Sequence, residues 1–141
     1  MKKILITGGG GYIGSMVTTE LVKLGHKVTV IDLLKYDKGS LDHLYFEKNF
    51  TFINEDAKKI NLLKKHIKKN EFIIPLAALV GAPLCEENKK EAVSINFQSV
   101  KNILKNLNIK NKLIYLTTNS GYGIGEKNKF CNEESPLRPI S

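Results

Sequence analysis

Five glycines lie close together near the start of the chain, in the segment ITGGGGYIGS at residues 6–15. A short apolar run at residues 2–7 leads into them, and apolar residues at helical spacing follow over residues 12–24. Because glycine lacks a Cβ atom, it permits tight turns and close approach between backbone segments. The segment therefore predicts a strand that turns sharply into a helix.

Strand and helix patterns continue to alternate along the rest of the chain. Short apolar runs predict strands at residues 2–7, 26–32, 50–54, 72–79 and 112–118. Pro75 lies within the fourth run, and because proline lacks a backbone N–H, we expect that strand to be ending there. Helices are predicted at residues 12–24, around 60–67 and at 87–107, with a short helix near 41–46.

This alternation indicates the class of fold. Strands that alternate with helices, and that read as near-continuous apolar runs, predict an α/β fold with a parallel sheet covered by helices on both faces. Right-handed crossovers would give the strand order 3-2-1-4-5. At 141 residues the chain is expected to form one domain, 1–141.

The formal net charge of +8 raises the possibility of a nucleic-acid partner. The excess is nearly all lysine, however, and Arg138 is the only arginine. Arginine is the residue that reads bases and stacks on them, so a lysine excess is weak evidence for specific recognition. We expect solvated helix faces and no nucleic-acid partner.

Metal and membrane functions are not indicated either. Cys85 and Cys131 lie far apart, and they and the three histidines show no zinc-ligand spacing, so we expect no metal site. No apolar run approaches the roughly 18 residues that a membrane span needs. The sequence therefore predicts a cytoplasmic protein without a membrane partner.

The glycine-rich segment also has the spacing of a phosphate-binding turn. Gly8, Gly11 and Gly14 fit G-x-x-G-x-x-G between a strand and a helix. Such glycines allow the turn, let a pyrophosphate approach the backbone and let helix and strand pack closely. Backbone N–H groups at the helix start, at Tyr12 and Ile13, would hold the phosphates with the help of the helix dipole. The alternative is a purely structural turn.

Asp32 supports the dinucleotide interpretation. It ends the second predicted strand, 18 residues after Gly14, with Leu33 beside it. A carboxylate at that position accepts hydrogen bonds from the adenosine ribose of a dinucleotide. It would also repel a 2′-phosphate, which favours NAD over NADP, although Lys35 could in principle offset that charge.

The spacing T-G-x-x-G-x-x-G resembles the extended short-chain dehydrogenase/reductase superfamily, in particular its NAD-dependent nucleotide-sugar epimerases and dehydratases. Further segments resemble that family in the same order along the chain: NEDAKK, PLAALVGAP, SINFQSVKNILK, LTTNSGYG and EESPLRPIS. The resemblance implies a Rossmann-like fold, NAD as cofactor, and hydride transfer at a carbon of a nucleotide-sugar in a full-length protein.

The resemblance also implies cofactor contacts in these segments. Asp56 and Ala57 take the places that meet the adenine, and Asn96 takes the place of the Asn on the nicotinamide side. The family usually has a His where this chain has Pro75, a difference that concerns local packing. The residues that would line the cofactor after the fourth strand are Leu76, Ala77 and Ala78.

Thr118 takes the place of the family's active Ser or Thr, which would hydrogen-bond the reacting oxygen. In the family, a Tyr and a Lys in the pattern Y-x-x-x-K come next and supply the acid–base chemistry. No Tyr of this chain has a Lys four positions later, and Tyr122 with Lys127 is one step too long. We therefore expect the chain to stop before the catalytic helix and the C-terminal substrate domain, and to be inactive alone.

Two functional interpretations are open from the sequence. The first is the NAD-binding portion of a nucleotide-sugar epimerase or dehydratase. The second is a non-catalytic dinucleotide-binding module or sensor. In either case the predicted 87–107 helix has an apolar stripe that would lose cover without a catalytic helix, and such patches self-associate. A homodimer through this helix is a further hypothesis. The stripe consists of Val93, Phe97, Val100, Leu104 and Leu107.

Overall fold

The computed structural model describes residues 1–125 and 130–140. Five parallel strands form one sheet in the predicted order β3-β2-β1-β4-β5. The strands are β1 (Lys3–Thr7), β2 (Lys27–Asp32), β3 (Phe50–Asn54), β4 (Phe72–Pro75) and β5 (Lys112–Leu113). The α-helices are α1 (Tyr12–Lys23), α2 (Ile60–Ile67), α3 (Ala82–Glu87), α4 (Lys89–Ala92) and α5 (Ser99–Asn106).

Helices cover both faces of the sheet, as the sequence predicts. Side chains alternate between the two faces along a strand. In β1, Ile4 and Ile6 are buried in one core with Val22 of α1, whereas Leu5 is buried in a second core with Leu63 of α2 and Ile103 of α5. This division explains why the strands read as continuous apolar runs.

The fifth strand is shorter than predicted: β5 spans two residues, whereas the sequence predicts a strand over 112–118. The backbone N–H of Ile114 still donates to the carbonyl oxygen of Ile73, over 3.0 Å. The next bond of a parallel ladder would require an N–H from Pro75, which proline lacks. Pro75 also ends β4, so the fourth strand stops there and does not reach residue 79.

The predicted helix 87–107 corresponds to an unbroken helical run over residues 89–106, but this run is not a single regular α-helix and it is separated from the preceding helix at Asn88. Helix α3 ends at Glu87, and Asn88 leaves the helical conformation with φ −122° and ψ 46°. After α4 the chain forms a π-helical segment, Val93–Gln98, before α5 begins. A π turn closes i→i+5 bonds and so inserts an extra residue into the turn.

The predicted apolar stripe lies mostly on the side of this helical region that does not pack on the sheet, as expected for a stripe that lacks cover. Val93, Phe97 and Leu104, three members of the predicted stripe, are exposed, and Val100 is half-buried. The residues that pack toward the sheet are Ile95, Ser99, Ile103 and Leu107. Only Leu107 of the predicted stripe belongs to the core, and the apolar side formed by Val93, Phe97 and Leu104 lies uncovered.

None of the helices in the described part of the chain combines the length and apolar character that a bilayer crossing requires. Over residues 1–125 and 130–140, no group of three or more His, Cys, Asp and Glu side chains is placed to hold a metal ion. Cys85 is half-buried and Cys131 is exposed, and both are free thiols.

Candidate functional site

A cleft opens at the carboxyl ends of the strands, where the turns that follow β1 and β4 separate. In open parallel sheets, ligands bind at the point where successive connections leave toward opposite sides. The strand order places that point between β1 and β4. Nine of the predicted site residues line the cleft: Gly8, Gly11, Asp32, Leu33, Asp56, Ala57, Leu76, Ala77 and Ala78. The other lining residues are Gly10, Ile31, Leu34, Lys35, Tyr36, Leu79, Glu91 and Ile95.

Two glycines of the turn are required by the fold itself. Gly8 has φ +77°, and a Cβ atom there would lie 2.3 Å from the backbone nitrogen of Ala77. A Cβ atom on Gly14 would lie 2.1 Å from the carbonyl oxygen of Gly8. Contacts this short with backbone atoms cannot be relieved by moving a side chain. Gly8 therefore forms the turn, and Gly14 lets α1 pack against it.

Gly11 is different, because its surroundings leave room for a side chain. A Cβ atom there would lie 3.4 Å from the Gly8 carbonyl oxygen, and its φ of −75° suits any residue. Gly11 is the N-cap of α1, and the first turn of the helix contains no acidic residue. The free N–H groups of that turn and the positive end of the helix dipole are available to an anion in the cleft.

Tyr12, Ile13 and Gly14 form the first turn of α1 but do not line the cleft. The side chains of Tyr12 and Ile13 are exposed, whereas Gly14 is buried against Gly8 and Gly9. Any contact of these three residues with a ligand would therefore be made by backbone N–H groups.

Asp32 joins the glycine turn to the end of β2. Its Oδ2 accepts a hydrogen bond from the backbone N–H of Gly10, and its Oδ1 accepts one from Leu34, each over 2.8 Å. Leu34 has φ 48°, an unusual value for a side-chain-bearing residue, and its side chain is buried. A carboxylate has about four acceptor positions, so Asp32 keeps capacity for ligand hydroxyl groups.

Charged residues border the same cleft beyond Asp32. Lys58 Nζ lies 2.9 Å from Glu91 Oε1 and 3.5 Å from Asp56 Oδ2. Lys35 Nζ lies 3.8 Å from Glu91 Oε1. The hydrogen bond with Glu91 is the main cause that raises the pKa of Lys58, which keeps this amine protonated. The segment after β3 is thus tied to α4 by charge.

Asn96 supports the wall of the cleft without lining it. Its Oδ1 accepts a hydrogen bond from the backbone N–H of Leu79, and its Nδ2 donates to the Leu79 carbonyl oxygen, both over 2.8 Å. Asn96 lies in the π-helical segment, next to Ile95, which does line the cleft. The side chain thus fixes the backbone that follows Leu76, Ala77 and Ala78.

Thr118 is not among the residues that line the cleft. It is the N-cap of a 3₁₀ turn at Asn119–Tyr122, where its Oγ1 accepts a hydrogen bond from the Ser120 hydroxyl over 3.2 Å. Its side chain is exposed. Lys127, considered above as a partner of Tyr122, and Ser141, the last residue of the closing segment, lie outside the described residues.

Several lining residues were missed by sequence reasoning. Leu34 and Tyr36 follow Asp32 within four residues, so their position after the strand was a usable signal, as it was for Lys35, which the sequence analysis considered only as a counter-charge. Glu91 carried no such signal, because its approach to the cleft depends on how α4 packs beside the segment after β3. The spacing of Asp32 from the glycine turn predicts a contact with the ribose. The contact between Glu91 and Lys35 depends on tertiary structure, so sequence spacing does not predict it.

With this geometry established, comparison with known proteins identifies the family. The sequence pattern of the NAD dependent epimerase/dehydratase family matches residues 4–141. The chain belongs to this family. Its parallel sheet and glycine turn are therefore the family's Rossmann-like framework, as the resemblance implied.

Curated relatives agree with this assignment. A UDP-N-acetyl-alpha-D-glucosaminuronate decarboxylase from Bacillus cytotoxicus is 35% identical over 125 residues, which cover 88% of this chain and 39% of the relative. Protein CapI from Staphylococcus aureus is 34% identical over 149 aligned positions, which cover 99% of this chain and 44% of the relative. The chain thus spans less than half the length of either relative.

Solved structures agree in fold. The UDP-Glc/GlcNAc 4-epimerase from Campylobacter jejuni is 28% identical and superposes with a TM-score of 0.86, covering 99% of this chain and 44% of that one. A UDP-glucuronic acid 4-epimerase variant from Bacillus cereus, in complex with NAD and a UDP-4-deoxy-4-fluoro-glucuronic acid, is 28% identical with a TM-score of 0.83. It is covered over 46% of its length, and this chain over 99%.

Proposed function

We propose that this chain binds NAD in the cleft between β1 and β4, as the cofactor-binding portion of a nucleotide-sugar epimerase or dehydratase. The observation that carries the proposal is that Gly11 and Asp32 line one cleft. Gly11 leaves space beside the N-terminus of α1, where a pyrophosphate is stabilised. Asp32 offers a carboxylate to ribose hydroxyls at the neighbouring strand end.

The remaining lining residues suit the rest of a dinucleotide. Asp56 and Ala57 border the cleft after β3, where the adenine would lie. Ala77 and Ala78 present small side chains after β4, which leaves room for a flat ring system beside the backbone that Asn96 fixes. NAD, when bound, supplies a hydride acceptor for oxidation at a sugar carbon.

Thr118 is the residue of this chain that we assign to the chemistry. Its hydroxyl is exposed at the end of the segment that continues β5, and it would hydrogen-bond the oxygen of the sugar carbon that reacts. An unactivated hydroxyl does not remove a proton at neutral pH. The proton would be taken by the family's Tyr and Lys pair, in the part of the relatives that this chain does not span.

Titration calorimetry with NAD tests the binding proposal. We expect a single site, together with slower amide hydrogen exchange in the glycine turn and in the residues after β2. The absence of both heat and protection on addition of NAD would refute the proposal. Protection at a different location would refute the assignment of the site.

A second candidate is a dinucleotide-binding module without catalysis. It differs from the first candidate in lacking a Tyr that is followed four positions later by a Lys. The reading frame beyond residue 141 distinguishes the two candidates. A reading frame that continues into Y-x-x-x-K supports a dehydratase or an epimerase, which is an isomerase. A stop codon supports the non-catalytic dinucleotide-binding module.

The remaining proposals concern partners and location. A homodimer would cover the exposed side chains of Val93, Phe97 and Leu104, since large apolar patches favour association. Analytical ultracentrifugation of a Phe97→Ser variant checks this proposal. A nucleotide-sugar as substrate, a location in the cytoplasm and the lack of a nucleic-acid partner stay predictions for the full-length protein.

A further inference from the structure

Carboxylates outnumber cations around the cleft. Asp32, Asp56 and Glu91 line it, whereas Lys35 is the one basic residue among the lining residues in the described part of the chain. Lys35 follows Asp32 by three positions, so its flexible side chain starts near the proposed ribose site. A free ammonium there would be a ready counter-ion for a phosphate group.

Lys35 is not free, because Glu91 contacts it. The Nζ of Lys35 lies 3.8 Å from Glu91 Oε1. Glu91 is itself held in place, since both of its carboxylate oxygens accept hydrogen bonds from Lys58 Nζ over 2.9 Å. Lys58 is only 27% exposed, compared with 40% for Glu91 and 59% for Lys35. The Lys58–Glu91 pair thus presents a carboxylate to the more exposed Lys35.

We propose that Glu91 is a specificity-determining residue that excludes dinucleotides with a phosphate on the adenosine ribose. This inference rests on the proposed function and adds to it a residue from a distant part of the chain. Glu91 engages Lys35, so that this lysine does not neutralise the added phosphate.

The geometry separates this role from that of Lys58. If Glu91 loses its charge, Lys58 still has Asp56 at 3.5 Å as a partner. Lys35 then loses the carboxylate with which it pairs and becomes available to a phosphate. The preference for NAD over NADP therefore depends on Lys35 whenever Glu91 is neutral, and this dependence can be measured.

The test compares the ratio of the dissociation constants for NADP and NAD, by calorimetry at fixed ionic strength, in four proteins. These are the wild type, Glu91→Gln, Lys35→Met and the double variant. Glutamine keeps the shape of the side chain and removes its charge. We expect Glu91→Gln to lower the NADP/NAD ratio by up to roughly five-fold, the size of one solvent-exposed ion pair. Most of that decrease in the NADP/NAD ratio should be absent when the double variant is compared with Lys35→Met.

A matched control is Glu86→Gln. Glu86 is an exposed carboxylate of α3 that pairs with Lys89 and does not line the cleft. Its substitution removes the same charge and should leave the NADP/NAD ratio unchanged. An equal drop in Glu86→Gln would mean that only net charge matters, which would overturn the assignment of Glu91.

The remaining outcomes separate the two proposals. An unchanged ratio in Glu91→Gln with NAD still bound would overturn the role of Glu91 alone. The same drop in Glu91→Gln and in the double variant would also overturn it, because Lys35 would not be the released cation. Failure of the wild type to bind either dinucleotide would overturn the proposed function, and this inference with it. If Glu91→Gln does not fold, Lys35→Met is the second variant. Because Glu91 already engages this lysine, its loss should change the NADP/NAD ratio little, and a rise as large as the drop expected for Glu91→Gln would overturn the proposal.

Discussion

The backbone N–H of Gly10 donates a hydrogen bond to Oδ2 of Asp32 over 2.8 Å, which joins the glycine turn to the end of β2. The other oxygen, Oδ1, accepts from Leu34, which holds the strained backbone after the strand. One carboxylate therefore organises two walls of the cleft and still has acceptor positions for a ligand. Its substitution should have separable effects on stability and on binding.

Asp32→Ala should narrow the preference for NAD over NADP, because a negative charge that opposes a 2′-phosphate is removed. It should also lower the free energy of unfolding by about 1–3 kcal/mol, since two N–H groups lose their charged acceptor. Calorimetry with both cofactors and urea unfolding measure the two effects. Asp37→Ala, which removes an exposed carboxylate that accepts from Gly39, is the matched control. A wild-type preference for NADP would contradict the charge argument.

Gly11→Val should abolish NAD binding and leave the fold intact. Its Cβ atom has ordinary van der Waals room, but the branched side chain would occupy the space at the N-terminus of α1 that a pyrophosphate needs. Gly14→Val should instead destabilise the protein, because its Cβ atom would lie 2.1 Å from the Gly8 carbonyl oxygen. Thermal unfolding and calorimetry of both variants check this contrast. Unchanged NAD affinity in a folded Gly11→Val would remove Gly11 from the site.

Much of this fold follows from the pattern of apolar residues. The strand order, the two covered faces and the position of the glycine turn are predictable because each strand is buried on both sides and each crossover is right-handed. The π-helical segment is not predictable in this way. A simple 3.6-residue period does not report its extra residue, nor does it show that the side of Ile95 and Ser99, and not that of Val93 and Phe97, packs toward the sheet.

The residues of the candidate site likewise divide into those that sequence spacing predicts and those that it does not. Gly8, Gly11 and Asp32 lie at fixed distances along the sequence from a strand end or a helix start, so spacing alone places them. Glu91 lies on α4 and pairs with Lys58 after β3, and no local pattern indicates which of many Glu–Lys combinations will form. Charge contacts between distant segments are the part of the site that requires coordinates.

Asn96→Ala should destabilise the wall of the cleft that follows β4. The substitution leaves the N–H of Leu79 without its partner and leaves its carbonyl oxygen with only the weak donor Cys85 Sγ at 3.3 Å. An unpaired group of this kind costs about 1–3 kcal/mol when it is partly buried. We also expect weaker NAD binding, because the backbone at Ala77 and Ala78 becomes less ordered. Urea unfolding and calorimetry measure these changes.

The control for Asn96 is Asn106→Ala. The Asn106 side chain donates to the carbonyl oxygen of Asn102, one turn back in its own helix, so its loss leaves the cleft untouched. Asn106→Ala should therefore change NAD affinity little. Equal loss of affinity in both variants would mean that general helix stability, and not the tie to Leu79, is responsible.

The 141-residue chain should not convert nucleotide-sugars by itself. A tyrosine has a pKa near 10 when unperturbed, and it needs a neighbouring cation to act as a base at neutral pH. No Tyr of the chain has a Lys four residues later, and Thr118 can orient an oxygen but not take its proton. Incubation with NAD and a panel of UDP-, GDP- and dTDP-sugars, followed by product separation, tests this expectation. An epimer or 4-keto product that disappears in Thr118→Val would contradict it.

The unequal steric demands on the glycines have an evolutionary consequence. Nearby backbone atoms leave no room for a side chain at Gly8 or Gly14, so both glycines would be retained in a descendant that had ceased to bind any dinucleotide. Gly11 is required only by the space that a ligand needs beside the helix. A descendant that no longer binds the ligand could therefore have a side chain at this position without unfolding. Substitution of Gly11, with Gly8 and Gly14 retained, would be an early sign that cofactor binding had been lost in the lineage.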